Sequence, residues 1–170
     1  AYTIDLDKRE DERGYFARLF CLEEFKNQGL DISIVQMNTT LSKKSGTIRG
    51  LHFQRSPKME TKIVRCINGS IWDVIVDIRE TSPTYGKWYG AELNNNNRTM
   101  MYVPQGFAHG FQTLVDNVEL LYLHSEFYSA EHEGGLLYND KTVGINWPSP
   151  ISEISERDKT HPMLNDLNPI

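Results

Sequence analysis

Ser70-Ile71-Trp72-Asp73-Val74-Ile75-Val76-Asp77-Ile78 is the stretch on which the fold turns. Alternation puts Trp72, Val74, Val76 and Ile78 on one face, the period-two pattern of a β-strand. Lys62–Ile67 lies just before it, across Asn68-Gly69. Two apolar runs joined by Asn-Gly are a strong hairpin signal, because both turn residues tolerate positive φ. Further strand candidates are Ile32–Thr40, Thr47–Gln54, Lys87–Leu93, Thr99–Val103, Gly110–Leu114 and Val118–Phe127. Turns are predicted at Ser82-Pro83-Thr84-Tyr85-Gly86, Asn94–Asn97, Pro104-Gln105-Gly106 and Asp116-Asn117. Helix is scarce: Cys21–Gln28 can form a short one stopped by Gly29. Many short strands at close spacing indicate an all-β sandwich or barrel with few short helices. Beyond Trp147-Pro148 the chain turns polar and Pro-punctuated, so the tail is expected to wrap over the barrel. No repeat or linker divides residues 1–170, which read as a single domain.

The bulk composition narrows the function classes. With 18 Lys+Arg against 23 Asp+Glu, the 170-residue chain carries a net charge of −5. A mildly acidic protein is a poor candidate for wholesale binding to nucleic acid or anionic membrane, although a few placed cations can hold a small anion. Cys21 and Cys66 are far apart and form no CxxC pattern, so neither structural zinc nor a disulfide framework is indicated. Cys66, inside Ile63–Ile67, reads as a small buried hydrophobe. No signal-peptide pattern and no membrane-length apolar run is visible, and a reducing cytoplasm is the expected compartment.

Three segments interrupt strand-like sequence with polar groups. In Arg49-Gly50-Leu51-His52-Phe53-Gln54, alternation gives Ile48, Gly50, His52 and Gln54 one face, and Gly50 is expected to leave open space beside the imidazole. In Pro104-Gln105-Gly106-Phe107-Ala108-His109-Gly110, the spacing P-x-G-x-x-H matches the second motif of the cupin β-barrels, where the His is commonly a metal ligand. The first cupin motif needs H-x-H, but here His52 is followed two residues later by Gln54. Three or four converging ligands are required to hold a metal, so no functional metal is expected. In Leu120–Tyr128, Tyr122 is in step with Val118 and Leu120 and can point inward. Alone, each has an ordinary alternative: a satisfied strand His, or packing for a strand Tyr.

Taken together, Asp11–Phe16, Arg49–Gln54, Gly69–Asp77, Ser82–Gly86, Gly106–Phe111 and Ser155–Asp158 resemble the dTDP-4-dehydrorhamnose 3,5-epimerase family, in order and over nearly the whole chain. The resemblance implies a cupin-type jelly-roll β-barrel, usually a homodimer, that binds a nucleotide diphosphate sugar and uses no cofactor. The implied reaction is epimerisation at C3 and C5 of a 4-keto-6-deoxy sugar through enolates. It needs a base on one face, an acid on the other and a group that stabilises the enolate oxygen. By resemblance His52 is the base, imidazole being a side chain that can accept a proton at physiological pH, and Asp158 is its orienting carboxylate. Tyr122 is the acid, Lys62 lies by the enolate oxygen, and His109 is a further pocket histidine. Arg13 and Arg49 suit the diphosphate, Gln36 and Asn38 match polar contacts, and Phe16 and Tyr128 match aromatic ones. For each Arg the ordinary alternative is a solvated surface charge.

One position departs from the family pattern. Arg18 stands where dTDP-sugar members usually carry Glu, two residues past the Phe. A guanidinium there inverts the local charge, so dTDP is the default nucleotide and CDP- or GDP-linked keto sugars are alternatives. A single-site epimerase, a non-catalytic sugar-binding cupin and a metal-dependent cupin are the other readings.

Overall fold

The computed structural model describes residues 1–30, 32–168 and 170. In chain order the elements are β1 (Tyr2–Ile4), β2 (Lys8–Asp11), β3 (Gly14–Ala17), α1 (Leu22–Asn27), β4 (Gln36–Ser42), β5 (Thr47–Gln54) and β6 (Lys62–Asn68). They continue with β7 (Ser70–Asp77), β8 (Trp88–Asn94), β9 (Met100–Val103), β10 (Phe107–Thr113), β11 (Val118–His124), β12 (Glu133–Gly135), β13 (Glu153–Ile154) and α2 (Glu156–Lys159). A single 3₁₀ turn at Leu164–Asp166 closes the series.

Two sheets face one another. One runs β1-β9-β6-β11-β4, and the other runs β12-β5-β10-β7-β8, with β13 laid parallel along β5. From β4 to β11 the chain crosses from sheet to sheet at nearly every turn, and β7–β8 is the exception. This is the cupin-type jelly roll, a double-sheet solution that limits exposed edges.

The crossing corrects one expectation. Asn68-Gly69 does turn sharply, with Gly69 at φ +83°. Yet β6 and β7 belong to different sheets, so the turn is a corner between sheets and not a hairpin. The dipeptide sets a tight local bend, but strand partners are chosen by closure of the whole barrel. Same-sheet hairpins occur at β7–β8, across the Ser82–Gly86 turn, and at β2–β3.

Strand β7 is buried on both faces. Ile71 and Ile75 point between the sheets with Val64, Cys66, Leu93, Met101, Phe111 and Leu120. Val74, Val76 and Ile78, with Trp72 beside them, point outward, where Leu136 and Val143 and, from the tail, Leu164 and Leu167 cover them. The predicted tail wrap is thus an apolar lid on the outer face, each fully buried aliphatic side chain contributing about 1.5–3 kcal/mol. Helix α1 covers the other sheet through Phe25, packed with Ile32, Ile63, Met100, Tyr102 and Leu123.

Strand boundaries shift where backbone pairing stops. The predicted Ile32–Thr40 strand begins at Gln36, because Ile32 is spent in the α1 cluster. The Val118–Phe127 strand ends at His124, after which Ser125 caps the Thr61 amide with its hydroxyl.

Candidate active site

The site begins at an irregularity in β5. Opposite β10, His52 pairs with His109 but Arg49 pairs with Phe111, so two residues of β5, Gly50 and Leu51, oppose the single Gly110. Such a bulge inverts the alternation. Since Phe111 lies in the inter-sheet core, Arg49 joins His52 on the inner face, which strict alternation denied it. The expected common face of Ile48, Gly50, His52 and Gln54 is therefore broken at Gly50. Nor does Gly50 leave open space. Its φ is +115°, and a Cβ there would lie 2.6 Å from the Gly110 Cα, so the absent side chain is filled by neighbouring backbone.

The His52 imidazole is held by the tail. β13 docks Glu153 against Thr47 and Ile154 against Ile48. Ser155 then caps α2 by accepting the Asp158 N–H at 3.0 Å, the usual use of a Ser at a helix start. The cap aims the buried Asp158 carboxylate at β5. His52 Nε2–H donates to Asp158 Oδ1 at 2.8 Å, and the Gly50 amide donates to Oδ2 at 3.1 Å. This arrangement leaves the lone pair on Nδ1 of His52. Burial works against the Asp158 charge, but the His52 bond and charge and the Gly50 amide outweigh it and hold its pKa below the ordinary value.

The opposite sheet supplies the facing wall. Tyr122 of β11 meets His109 edge-on at 6.3 Å and stacks with His124 at 6.0 Å. Burial, and after it the Asp73 charge, pushes its phenol well above the usual range, so the ring stays protonated. His109 Nε2–H donates to the buried Asp73 Oδ1 at 2.7 Å. Lys62 is nearly buried and forms an ion pair with Glu60 at 2.9 Å. Glu60 also accepts His124 Nδ1–H at 2.7 Å, while Asn38 Nδ2 donates to His124 Nε2 at 3.3 Å. Burial opposes the Glu60 charge, yet His124 and Lys62 together hold its pKa below the ordinary value.

A cavity of about 980 Å³ opens between these walls, lined by His52, Asp158, Arg49, Tyr122, Lys62 and His109 among others. An imidazole hydrogen-bonded to a buried carboxylate, a buried phenol and an ammonium group thus face one space. A family model described as dTDP-4-dehydrorhamnose 3,5-epimerase matches residues 1–166. The chain belongs to that family. A relative of that name from Sinorhizobium fredii is 46% identical over 158 residues, 92% of this chain and 81% of its own. The crystal structure of dTDP-4-dehydrorhamnose 3,5-epimerase from Bacillus anthracis with TDP and PPi bound matches with a TM-score of 0.90 at 42% identity, covering 95% of this chain and 92% of that one. A dTDP-6-deoxy-D-glucose-3,5-epimerase from Legionella pneumophila in complex with dTDP-4-keto-L-rhamnose matches at 33% identity with a TM-score of 0.91, covering 98% and 88%. As a member of the 3,5-epimerase family the chain is an isomerase.

Of the residues the family resemblance singled out, Asn38 also lines this cavity. Gln36 and Tyr128 line an adjoining hollow of about 380 Å³, which shares Asn38, His52 and Lys62 with it. Arg13, Phe16 and Arg18 are not brought to the pocket within one chain. Arg13 pairs with Asp11 and is 89% exposed, Phe16 is 70% exposed, and Arg18 pairs with Glu24. All three sit on or beside the separate β2–β3 hairpin. Gln54, in place of the cupin second His, tethers loops: its Nε2 donates to Lys58 O and Phe127 O, and its Oε1 accepts the Ser129 N–H.

Several site residues escaped the sequence reading. Asp73 and Glu60 hold His109 and Lys62. Asp73 carried a signal, being a carboxylate inside an apolar strand that had to find a partner. His124 lies two residues past Tyr122 and so shares its face. His161, behind Asp158, had no signal, since only the tail's fold brings it there.

Proposed function

We propose that the chain epimerises C3 and C5 of a nucleotide-linked 4-keto-6-deoxy sugar, by default converting dTDP-4-dehydro-6-deoxyglucose to dTDP-4-dehydrorhamnose. One observation carries the reading: the His52–Asp158 pair and the Tyr122 phenol come from opposite sheets and line the same cavity. Inversion by proton removal from one face and return to the other is served by an acceptor and a donor on two sides.

The C4 ketone acidifies the hydrogens at C3 and C5. His52 Nδ1 takes one proton as the C–H electron pair moves onto O4, forming an enolate. Asp158 stabilises the resulting imidazolium, and Lys62 supports the charge on O4. Tyr122 returns a proton from the opposite face. That transfer runs downhill although burial raises the phenol pKa, because an enolate carbon is a far stronger base than a phenolate. Exchange with water then resets both groups, and the second carbon follows by the same steps. His109, fixed by Asp73, is a pocket hydrogen-bonding group, and Arg49 faces the diphosphate.

The ligands of the Bacillus and Legionella relatives support thymidine as the nucleotide. The Arg18–Glu24 pair keeps Arg18 engaged inside its own chain, which is compatible with a thymine site lacking the usual Glu. The exposed Arg13 and Phe16, together with exposed Met37 and Leu41 on β4, support a homodimer in which the β2–β3 hairpin completes the partner's pocket. Cytoplasmic residence is part of the same proposal.

Kinetics of His52→Ala and Tyr122→Phe on the dTDP sugar test the reading. Each is expected to lower kcat/KM by about 10²–10⁴, the usual worth of a positioned acid or base. Retained activity in both would overturn the assignment.

A further inference from the structure

We infer that His52, Asp158 and His161 form a capture site for a divalent transition-metal ion such as Zn²⁺, and that an ion held there silences the base. The inference rests on the proposed role of His52. The ion acts as an inhibitor and uses a donor set different from that of the cupin metal site, with two of its three donors coming from the C-terminal tail.

The donors already converge. One ligand atom from each of the three residues lies within 4.8 Å of the other two. Nε2 of His52 lies 2.8 Å from Asp158 Oδ1, and Nε2 of His161 lies 3.5 Å from the same oxygen. Tetrahedral zinc with bonds of about 2.0–2.2 Å sets its donors about 3.4 Å apart, so small side-chain shifts admit the ion. Two imidazoles and one carboxylate are a usual three-ligand zinc set, with a fourth position open to water from the cavity.

A second observation points to the ion independently. The His161 side chain is 11% exposed, yet its Nε2 is buried without a hydrogen-bond partner. A buried polar nitrogen left unpaired costs free energy, and a bound cation would satisfy it. The ring is held in that orientation, because a Cβ at Gly135 would collide with it and the His52 ring meets it edge-on at 5.5 Å. The nearby Arg157 guanidinium is neutralised by Glu133 at 2.5 Å.

Inhibition follows from tautomer chemistry. Coordination through Nε2 of His52 takes up the electron pair on that nitrogen, so the single proton of the neutral ring moves from Nε2 to Nδ1. The nitrogen that removes the sugar proton then has no lone pair, and Asp158 is occupied by the metal.

The test titrates the full-length protein with Zn²⁺, with Mg²⁺ as a hard-cation control, reading heat of binding and epimerase rate together; Co²⁺ reports coordination through its visible spectrum. One Zn²⁺ per chain is expected to bind and abolish turnover reversibly with EDTA. Mg²⁺ is expected to do neither. His161→Phe keeps the ring volume against Gly135 and is expected to lose at least about tenfold in zinc affinity and in sensitivity to inhibition, the latter read against its own metal-free rate, since even outer-shell changes cost that much. His161→Gln serves as a second variant with the same expectation. No zinc binding by the wild type, or unchanged zinc affinity and inhibition in both His161 variants, would overturn the inference. Binding heat and the cobalt spectrum do not depend on turnover, so a protein that binds zinc here but fails to epimerise would count against the proposed function and not against the site.

Discussion

At the scale of single residues, the pocket works by pairing each functional group with a dedicated partner. Asp158 serves His52, Asp73 serves His109, and Glu60 serves both Lys62 and His124. Tyr122 is placed between two histidines by ring contacts. Tyr122→Phe should therefore separate the two proton transfers: inversion falls while His52 still removes and returns protons from its own side. In deuterated water the variant is expected to wash label into recovered starting sugar without forming product, as read by NMR. Glu60→Gln leaves the Lys62 ammonium buried beside a neutral amide. Removing one member of a buried ion pair costs about 3–5 kcal/mol, which urea unfolding at pH 7 would register. The pH sign follows from the depressed Glu60 and Asp158 pKa values. Each carboxylate contributes stability above its unfolded pKa near 4, and that contribution is lost as pH falls through the lower folded pKa. Glu60→Gln should accordingly narrow the stability difference between pH 7 and pH 3.

At the scale of elements, the β5 bulge and the short α2 make the site. The bulge turns Arg49 inward, and the Ser155 cap of α2 carries Asp158. Gly50→Ala puts a methyl into the Gly110 backbone at a φ that disfavours side chains. It is expected to cost about 2–3 kcal/mol and to lower activity by displacing His52, measured by thermal melting and kinetics on the same preparation. Sequence legibility differs sharply among these elements. The bounds of Thr47–Gln54 are readable to the residue even though Gly50 lies inside it. The bulge inside it is not readable, because it depends on Gly110 meeting Gly50 from another strand. Strands β2 and β3 carry no apolar alternation, and the exposed charges of β2 look like a loop.

For the whole molecule, the sequence patterns identify strands well and their partners poorly. Asn68-Gly69 marks a bend as surely as a hairpin turn would, but barrel closure sends its two strands into different sheets. The proposed catalytic set is legible only as a constellation of motifs: no local pattern links His52 to Asp158, 106 residues away. The proposed dimer belongs to this scale too. Arg13→Ala and His52→Ala chains are each expected to be poorly active alone. Mixed and reassembled, they should recover activity, because one pocket of each mixed dimer receives an intact His52 from one chain and an intact hairpin from the other. No recovery would mean that the hairpin serves its own chain.

The central claim is inversion at two carbons by one base and one acid on opposite walls. Wild-type turnover of dTDP-4-dehydro-6-deoxyglucose in deuterated water, followed by NMR, tests it most directly. The account predicts product with deuterium at both C3 and C5. Label confined to one carbon would contradict the two-carbon claim, and no label at either would contradict proton transfer altogether.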